Sequence, residues 1–493
     1  MAKCLRDFRA KRVETLAKTL AKTLAETLAD WTGWYLGFYD LTSHRNDKIL
    51  DWHRKYGPVV CIGPNEVSVA TLDGTRKIYG TTFRWAKSNY FDHFKGYGMR
   101  SVFATKEYEE HRQKRRFISS FYQPSTIYKL PEIEHYVKDR AEAVVRQIQH
   151  DQPVDVYGLT DWYAIDIITF LTLGPDFASQ SIESPCVERQ IFARLKQQQF
   201  VGPFRIRHPR AYAAFSRAYQ WLSSKRSYLV ADDDLASWCK DRISAAMDGK
   251  RLLDSHSLLR HLLHHDHTGT ENAPLNRDYV AAEILDNINA AEATVAVTAT
   301  YLLWRLTAAP LWQDNIRKEL ALLPVQEDGS LSFTDIDSRV PALEACLREV
   351  YRLHPASSGR AERVVPQGGS VISDFHLPED TIVTTSVPAL HRDEVLFPDP
   401  DRFMPERWLN ADPDTLKARE AQLIPFGHGG RICLGKALAT LEIKVLIASL
   451  YQQHKSVMEA STTAESMRQC STHDAVPSAL KCEIRFQRVA EKC

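Results

Sequence analysis

One cysteine lies in a glycine-rich loop, FGHGGRICLG, directly before a segment with the pattern of a helix. Cys433 is the single thiol of this loop, which also holds four glycines. Backbone N–H groups at a helix N-terminus favour the thiolate form of such a cysteine. Three roles are open to the residue: a catalytic nucleophile, a small hydrophobic side chain, or a thiolate ligand to one metal centre.

The glycines of the loop favour the metal ligand. Gly427, Gly429, Gly430 and Gly435 permit positive φ angles and let the backbone approach a large, flat group. Nearby N–H groups can then point at the sulfur and tune its donation of electrons to a metal. We therefore interpret Cys433 as a thiolate ligand.

The spacing within this loop resembles FxxGxRxCxG, the haem-binding signature of the cytochrome P450 family. Five residues at this fixed spacing would occur by chance in a chain of this length with a probability on the order of 10⁻⁴. The matching residues are Phe426, Gly429, Arg431, Cys433 and Gly435.

Two further motifs lie upstream in the order that the family shows. CLREVYRLHP holds Glu349 and Arg352 at positions i and i+3 of a helix, a pattern that by itself also fits an ordinary surface ion pair. The proline-rich segment FMPERWL follows it. In the family the Glu–Arg pair binds an arginine of this segment, so the resemblance implies a contact with Arg407.

The resemblance also implies the residues that hold the cofactor, haem b. Cys433 is the axial thiolate, which donates electron density that favours cleavage of the O–O bond. Guanidinium groups suit the two haem propionates, because their planar donors match a carboxylate. The other cofactor-binding residues implied are Phe426 and Gly435 beside the sulfur, and Arg115, Arg363 and Arg431 at the propionates. His111, one turn before Arg115, stands where many members have tryptophan.

The longest apolar segment, RDYVAAEILDNINAAEATVAVTATYLLWRLTAA, resembles the central helix of the family except at one position. The family pattern (A/G)GxxT aligns with Ala290 to Thr294, usually with an acid directly before the threonine. Here that place is Ala293, and Glu292 precedes it by one residue, about 100° around the helix. Thr294 is either a catalytic hydroxyl or one bonded back to the carbonyl of Ala290. The catalytic candidates are Thr294, Asn289 as a holder of water, and Glu292 if the alignment shifts by one residue.

The elements that position these residues are mainly helical. Helical periodicity dominates from about residue 107 to residue 350. VVCIG and EVSVAT predict paired strands, and ALKCEIRFQRV predicts a strand near the end of the chain. The sequence therefore predicts a mainly α fold with a minor β region (α+β), which is the cytochrome P450 fold with a long central helix over haem.

Composition and cysteine usage limit the class of protein. The 493 residues are 44% hydrophobic with a net charge of +1, so no field favours nucleic acid. Nine widely spaced cysteines without a CxxC motif argue against a disulfide framework or structural zinc and for a reducing compartment. No low-complexity linker divides the chain, so we predict a single haem-thiolate monooxygenase domain over residues 31–493.

Residues 1–30 contain a leucine stripe and no clear transmembrane span. Leu16, Leu20, Leu24 and Leu28 recur every four residues, and no apolar run there is long enough to cross a bilayer. We interpret this part as an amphipathic helical segment that packs on its own domain or contacts a membrane surface peripherally. The expected location is the cytosolic side of the endoplasmic reticulum membrane or the cytoplasm.

The resemblance implies an activity, that of a monooxygenase typical of fungal biosynthetic members of the microsomal type. Such an enzyme inserts one atom of O₂ into a small, apolar, secondary-metabolite-type substrate. Its electrons come from NADPH through a separate flavin-containing reductase, because the chain has no GxGxxG module of its own. Ala293 leaves open a haem-thiolate enzyme for oxidative coupling, isomerisation or dehydration without oxygen insertion. A non-enzymatic haem sensor or carrier is a third alternative, which Thr294 disfavours because a sensor needs no proton relay.

Overall fold

The computed structural model describes residues 34–223, 226–248, 256–264 and 276–489. The predicted amphipathic segment at residues 1–30 lies outside them. Among the helices in these ranges, none is both long and apolar enough to cross a membrane.

Helices form most of the described chain. They are α1 (Trp34–Leu41), α2 (Arg45–Tyr56), α3 (Leu72–Tyr79), α4 (Tyr108–Ser119), α5 (Pro124–Ile127), α6 (Pro131–Gln147), α7 (Val156–Leu173), α8 (Val187–Gln199), α9 (Gly202–Arg207), α10 (Pro209–Leu222), α11 (Ala231–Asp248), α12 (Leu258–His264), α13 (Arg277–Thr307), α14 (Pro310–Leu320), α15 (Phe333–Arg339), α16 (Pro341–Leu353), α17 (Val387–Leu390), α18 (Pro413–Gln422) and α19 (Lys436–Gln453).

Short strands from both ends of the chain form three small sheets. One has the order β1-β2-β7-β4, in which β2 and β7 are parallel and the other pairs antiparallel. The second has the order β3-β9-β8, and the third pairs β5 with β6. The strands are β1 (Val59–Gly63), β2 (Glu66–Val69), β3 (Pro153–Asp155), β4 (Arg363–Val364), β5 (Ser370–Ile372), β6 (Phe375–Leu377), β7 (Ile382–Thr385), β8 (His454–Met458) and β9 (Glu483–Arg488).

The central helix α13 is buried along most of its length, as its apolar composition requires. It begins where the side chain of Asn276 accepts the N–H of Asp278, and it ends at Thr307, shortly before Pro310. It packs against α7, α16 and α19. Helices around one central helix, with small sheets at the edge, confirm the predicted α+β class.

A buried ion cluster fixes the segment that leads to the cysteine loop. Glu349 and Arg352 of α16 are fully buried, with Arg352 Nη2 2.7 Å from Glu349 Oε1. Arg352 also donates to the carbonyl oxygen of Pro400, 2.6 Å away, and Arg407 Nε lies 3.4 Å from Glu349 Oε1. The predicted contact with Arg407 is confirmed, and a surface ion pair is wrong for this motif. Removing one partner of such a buried pair costs about 3–5 kcal/mol.

Candidate active site

Cys433 lies just before α19, where backbone N–H groups converge on its sulfur. The N–H groups of Gly435 and Lys436 and the charge of Arg115 oppose the effect of burial, which is larger and keeps the pKa of the thiol above its usual value. The side chain is nevertheless accessible to solvent. Accessibility together with desolvation is expected of a thiol on the wall of an internal cavity. A bound metal ion would deprotonate the thiol and compensate its charge.

The backbone of the cysteine loop is pressed against α3. Gly429 has a φ of +72°, and a Cβ atom there would lie 2.1 Å from the carbonyl oxygen of Tyr79. The position therefore excludes every other residue type. The N–H of Cys433 donates to the carbonyl oxygen of Phe426 at 2.9 Å, and the Phe426 ring packs edge-on against Tyr351. These contacts close the loop and hold the sulfur in a fixed position.

Five basic side chains gather near the cysteine loop, and none forms an ion pair with another described residue. Three are the predicted arginines, and their positive charges act on one another and on a buried histidine. Burial, followed by the neighbouring cations, lowers the pKa of His111 to about 2. With that pKa His111 is neutral, and the four cations of the group are Lys87, Arg115, Arg363 and Arg431.

The unsatisfied donors in this group fit an anionic cofactor. Arg431 donates through Nη1 and Nη2 to the carbonyl oxygens of Thr105 and Lys106, both at 2.7 Å, and its buried Nε has no acceptor. Burial lowers the pKa of Arg363 to about 10, and burial with the charge of Arg363 lowers that of Arg431 to about 9. Buried cations without counter-ions are unfavourable, so two carboxylates would be stabilised here. The residues present therefore fit the haem propionates.

On α13 the predicted catalytic face borders accessible space. Ala290 is exposed although it lies within a buried helix, and Asn289 and Thr294 are partly exposed. The Thr294 hydroxyl donates to the carbonyl oxygen of Ala290 at 2.8 Å. This is the hydrogen bond that the sequence offers as the alternative to a catalytic role, and it leaves the lone pairs of Oγ1 free to accept a proton donor. Ala293 is buried.

Comparison with protein families matches residues 29–471 to the family described as Cytochrome P450. The chain belongs to the cytochrome P450 family. It is similar to the fungal protein "Cytochrome P450 monooxygenase FGM1" of Gibberella zeae, with 37% identity over 92% of this chain and 90% of the relative. It is also similar to "Cytochrome P450 monooxygenase tazI" of Aspergillus terreus, with 28% identity over 86% and 85%, and to "Cytochrome P450 monooxygenase pkfB" of Emericella nidulans, with 28% identity over 83% and 81%.

Membership confirms the predicted enzyme class and cofactor. The protein is a cytochrome P450 monooxygenase that binds haem b and receives electrons from a redox partner. A sensor or carrier without catalytic activity is thereby excluded. The assignment of individual residues to haem and to catalysis stays a prediction, supported by the contacts of Cys433 and of the four cations near it.

Two of the five basic residues near the cysteine loop of this P450, Lys87 and His111, were not among the haem-binding residues that the sequence predicted. Lys87 pairs through its backbone with Arg363, and His111 precedes Arg115 by one helical turn. His111 was visible as a departure from the family tryptophan. Lys87 lies in WAKSNY, which resembles the family's loop over the far edge of the haem, but that resemblance assigned no role to the lysine, whose partner Arg363 lies far along the chain.

Glu292 of this P450 has its side chain in a buried ion cluster between α7, α8 and α13. Lys196 of α8 pairs with Asp161 of α7 and lies 3.3 Å from Glu292 Oε1. Burial, with the nearby charge of Asp161, raises the pKa of Glu292 well above its usual value. The carboxyl group of Glu292 therefore lies beside Lys196 of α8 and Asp161 of α7. The Thr294 hydroxyl, in contrast, donates to the Ala290 carbonyl oxygen of its own helix.

The raised pKa of Glu292 predicts a pH-dependent stability. A carboxyl group with a raised pKa in the folded protein stabilises it most below the unfolded pKa, and this stability is lost as pH rises toward the folded pKa. Glutamine at position 292 cannot ionise, so the Glu292→Gln variant does not lose this stability as pH rises. We expect the variant to match the wild type near pH 4.5 and to gain on the order of 1 kcal/mol of relative stability by pH 8.

Thermal unfolding midpoints across this pH range measure the difference between the two proteins. Lys196→Met is the opposing variant, because it leaves carboxylates buried without their cation and destabilises the protein. A Glu292→Gln variant whose relative stability falls with rising pH would show that Glu292 is ionised and stabilising.

Proposed function

We propose that this P450 inserts one oxygen atom of O₂ into a small, predominantly apolar molecule of fungal secondary metabolism. The electrons come from NADPH through a separate diflavin reductase. The main support is that a thiol held by backbone N–H groups, and four cations near it that form no ion pair with a described residue, fit a propionate-bearing metal cofactor. The similar fungal monooxygenases support the choice of reaction.

The bound haem, ligated by Cys433, supplies the chemistry that splits O₂, transfers one atom to substrate and releases the other as water. The N–H groups of Gly435 and Lys436 stabilise the thiolate. Arg115, Arg363 and Arg431 hold the propionates. Thr294 accepts a proton donor at Oγ1 while its own hydrogen is held by the Ala290 carbonyl. Asn289, whose amide bonds to no other described residue, binds the water that delivers the proton.

Reaction under isotopically heavy oxygen tests the proposed chemistry. The product should carry one labelled oxygen atom. In each coupled turnover the second labelled atom should appear in one molecule of water. A product without heavy oxygen would support the second candidate, which is oxidative coupling, isomerisation or dehydration. The observation that favours this second candidate is Ala293, because its buried methyl group occupies the place where the family usually has an acid.

A basic surface cavity supports the proposed reductase contact. The sequence suggests a patch of Arg112, Lys114, Arg116 and Lys436 for an acidic partner. In the structure a cavity of about 330 Å³ beside α4 is lined by Arg112 and Arg116 and also by His111, Arg115 and Gly430 of the cysteine site, so the two outer arginines lie at the edge of that site. Lys114 is largely buried and bonds to Glu110 and to the carbonyl oxygen of Arg100, so it is removed from the patch, whereas Arg112, which pairs with Glu109, stays exposed.

Charge reversal at this cavity should slow reduction by the partner. We expect Arg112→Glu with Arg116→Glu to lower the rate about tenfold at low salt, because steering by exposed charges accelerates encounter. The wild-type rate should fall steeply with added salt, since such charges are screened beyond about 8–10 Å. Stopped-flow reduction measures both effects, with Lys55→Glu on α2 as the control. A salt-independent rate would contradict the proposed docking site.

An exposed apolar face supports contact with a membrane surface. Phe215, Tyr219 and Leu222 follow one another at helical spacing on α10, and all are exposed. Arg210 and Arg217, also exposed, lie beside this stripe on the helix. An apolar face flanked by basic residues is typical of helices that lie in an anionic membrane interface.

Polar substitution of this face should weaken vesicle binding. We expect Phe215→Ser with Leu222→Ser to lower the partition coefficient about tenfold or more, because each side chain contributes about 1.5–3 kcal/mol when buried. Sedimentation with phosphatidylserine-containing vesicles measures it. Leu311→Ser and Val395→Ser change equally exposed apolar residues elsewhere and serve as controls. Equal losses in the control variants would contradict a specific membrane face.

A further inference from the structure

Tyr79, the last residue of α3, contacts two parts of the predicted haem site. The guanidinium carbon of Arg363 lies 4.9 Å from the centre of the Tyr79 ring. On the other side, a Cβ atom at Gly429 would lie 2.1 Å from the Tyr79 carbonyl oxygen. One residue therefore touches both a predicted propionate ligand and the loop that carries the predicted axial thiolate.

The hydrogen bonds of Arg363 leave much of its side chain free. Its Nη1 atom donates to the carbonyl oxygens of Ala361 and Glu362, at 3.2 and 2.9 Å, and both acceptors belong to the segment that carries the arginine. Among the described residues, Nε and Nη2 have no acceptor and no carboxylate pairs with the guanidinium group. Burial lowers the pKa of Arg363 to about 10, and the interaction with Tyr79 opposes this effect. The Tyr79 ring thus supplies an orienting contact that the local hydrogen bonds do not.

An aromatic ring suits this task better than a carboxylate would. A cation above an aromatic face is stabilised without a hydrogen bond, so its N–H groups remain available. A carboxylate would bind these N–H groups itself, and they are the donors that a haem propionate needs. The Tyr79 ring can therefore stabilise the buried charge of Arg363 and leave Nε and Nη2 for the propionate.

The ring of Tyr79 is itself fixed to the sheet that carries Arg363. Its hydroxyl oxygen accepts the N–H of Thr385 at 3.0 Å. Thr385 belongs to β7, which pairs with β4 and places Val383 opposite Arg363. The ring and the guanidinium group are therefore attached to neighbouring strands, which hold them in register.

We propose that Tyr79 is a positioning residue, which orients Arg363 toward a haem propionate and so strengthens the binding of haem. The proposal rests on the haem assignment in the proposed function above. The competing interpretation is an ordinary packing contact, in which the ring stabilises the fold and has no effect on haem through Arg363.

Transfer of haem to an excess of apomyoglobin measures the rate of haem release without turnover. Tyr79→Leu should release haem about tenfold faster than the wild type, as expected of a lost cation–π contact in a desolvated site. Tyr79→Phe keeps the ring and should stay within about twofold of the wild type. Tyr79→pentafluorophenylalanine resembles Tyr79→Phe in shape, but its ring face repels cations, so it should release haem as fast as Tyr79→Leu.

A double-mutant cycle with Arg363 separates positioning from general stability. Arg363→Leu should itself release haem faster, and adding Tyr79→Leu should then change the rate by less than about twofold, because no guanidinium group remains to be oriented. Haem with esterified propionates should leave the wild type and Tyr79→Leu equally fast. Tyr136→Leu is the matched control, since it removes a ring 5.4 Å from Arg140, which is outside the cation group, and it should not change the release of haem.

Three results would overturn the proposal. They are effects of Tyr79→Leu and Arg363→Leu that multiply, an Arg363→Leu variant that releases haem no faster than the wild type, and a Tyr136→Leu variant that releases it as fast as Tyr79→Leu. The spectrum of the reduced protein with carbon monoxide shows separately whether the haem-thiolate centre is present. The labelled-oxygen experiment tests the reaction, so failure of the proposed function is recognised independently.

Discussion

Cys433→Ala is expected to abolish the absorption band that reduced, thiolate-ligated haem shows with carbon monoxide. The sulfur is the proposed ligand, and the N–H groups of Gly435 and Lys436 and the charge of Arg115 favour its anionic form against the effect of burial. The Cys433→Ala variant keeps these backbone N–H groups but has no sulfur that could bind a metal ion. Monooxygenase activity should be lost with the band, since the thiolate's electron donation favours cleavage of the O–O bond.

Two other cysteines provide matched controls for this prediction. Cys346 and Cys482 are buried, and burial raises the pKa of both thiols. Cys346→Ala and Cys482→Ala remove one sulfur atom each from the core and should leave the band unchanged. A band that persists in Cys433→Ala, or that disappears in either control with haem still bound, would contradict the assignment of the ligand.

The fold and the position of the site follow from short local patterns. The cysteine loop depends on glycines such as Gly429, whose close approach to Tyr79 makes the residue type obligatory. The ion cluster is recognised in the same way. Glu349 and Arg352 lie one turn apart on α16, and Arg407 lies in the proline-rich segment that follows. Patterns of this kind are local, so the sequence alone places them.

Contacts between distant segments could not be predicted. Lys87 joins the cation group through a loop with no periodic pattern, and it is recognised only when that loop lies beside Arg363. The partner of Glu292 is similarly distant. Helical geometry predicts that Glu292 and Thr294 point in different directions, but only the structure shows that Glu292 lies beside Lys196.

Thr294 matches the family pattern, but Ala293 stands directly before it, where the pattern usually has an acid. Productive use of O₂ requires protons to reach the oxygen side in order while bulk water is excluded. Ala293 is buried, and the Thr294 hydroxyl and the amide of Asn289 are partly exposed polar groups beside the exposed Ala290. We therefore expect water held between these two groups to deliver the proton, alone or together with a polar group of the substrate.

Thr294→Ala should leave haem and substrate binding intact and divert reducing equivalents into hydrogen peroxide. We expect the fraction of NADPH that yields product to fall about tenfold, within the range that one positioned proton donor contributes. Thr294→Ser, which keeps the hydroxyl, should restore most of the coupling. Thr298→Ala is the matched control one turn further along α13, where the hydroxyl donates to the carbonyl oxygen of Thr294 and serves only the helix.

The competing assignment makes Glu292 the proton donor. Glu292→Gln should retain coupled turnover, because the carboxyl group is held in the cluster with Lys196 and its pKa is raised. NADPH consumption, product and hydrogen peroxide are measured together for all four variants. If Glu292→Gln stops product formation while Thr294→Ala keeps it, the family pattern is shifted by one residue on α13. Proton delivery would then pass through the buried cluster between α7 and α8, and Thr294 would have only the structural hydrogen bond to Ala290.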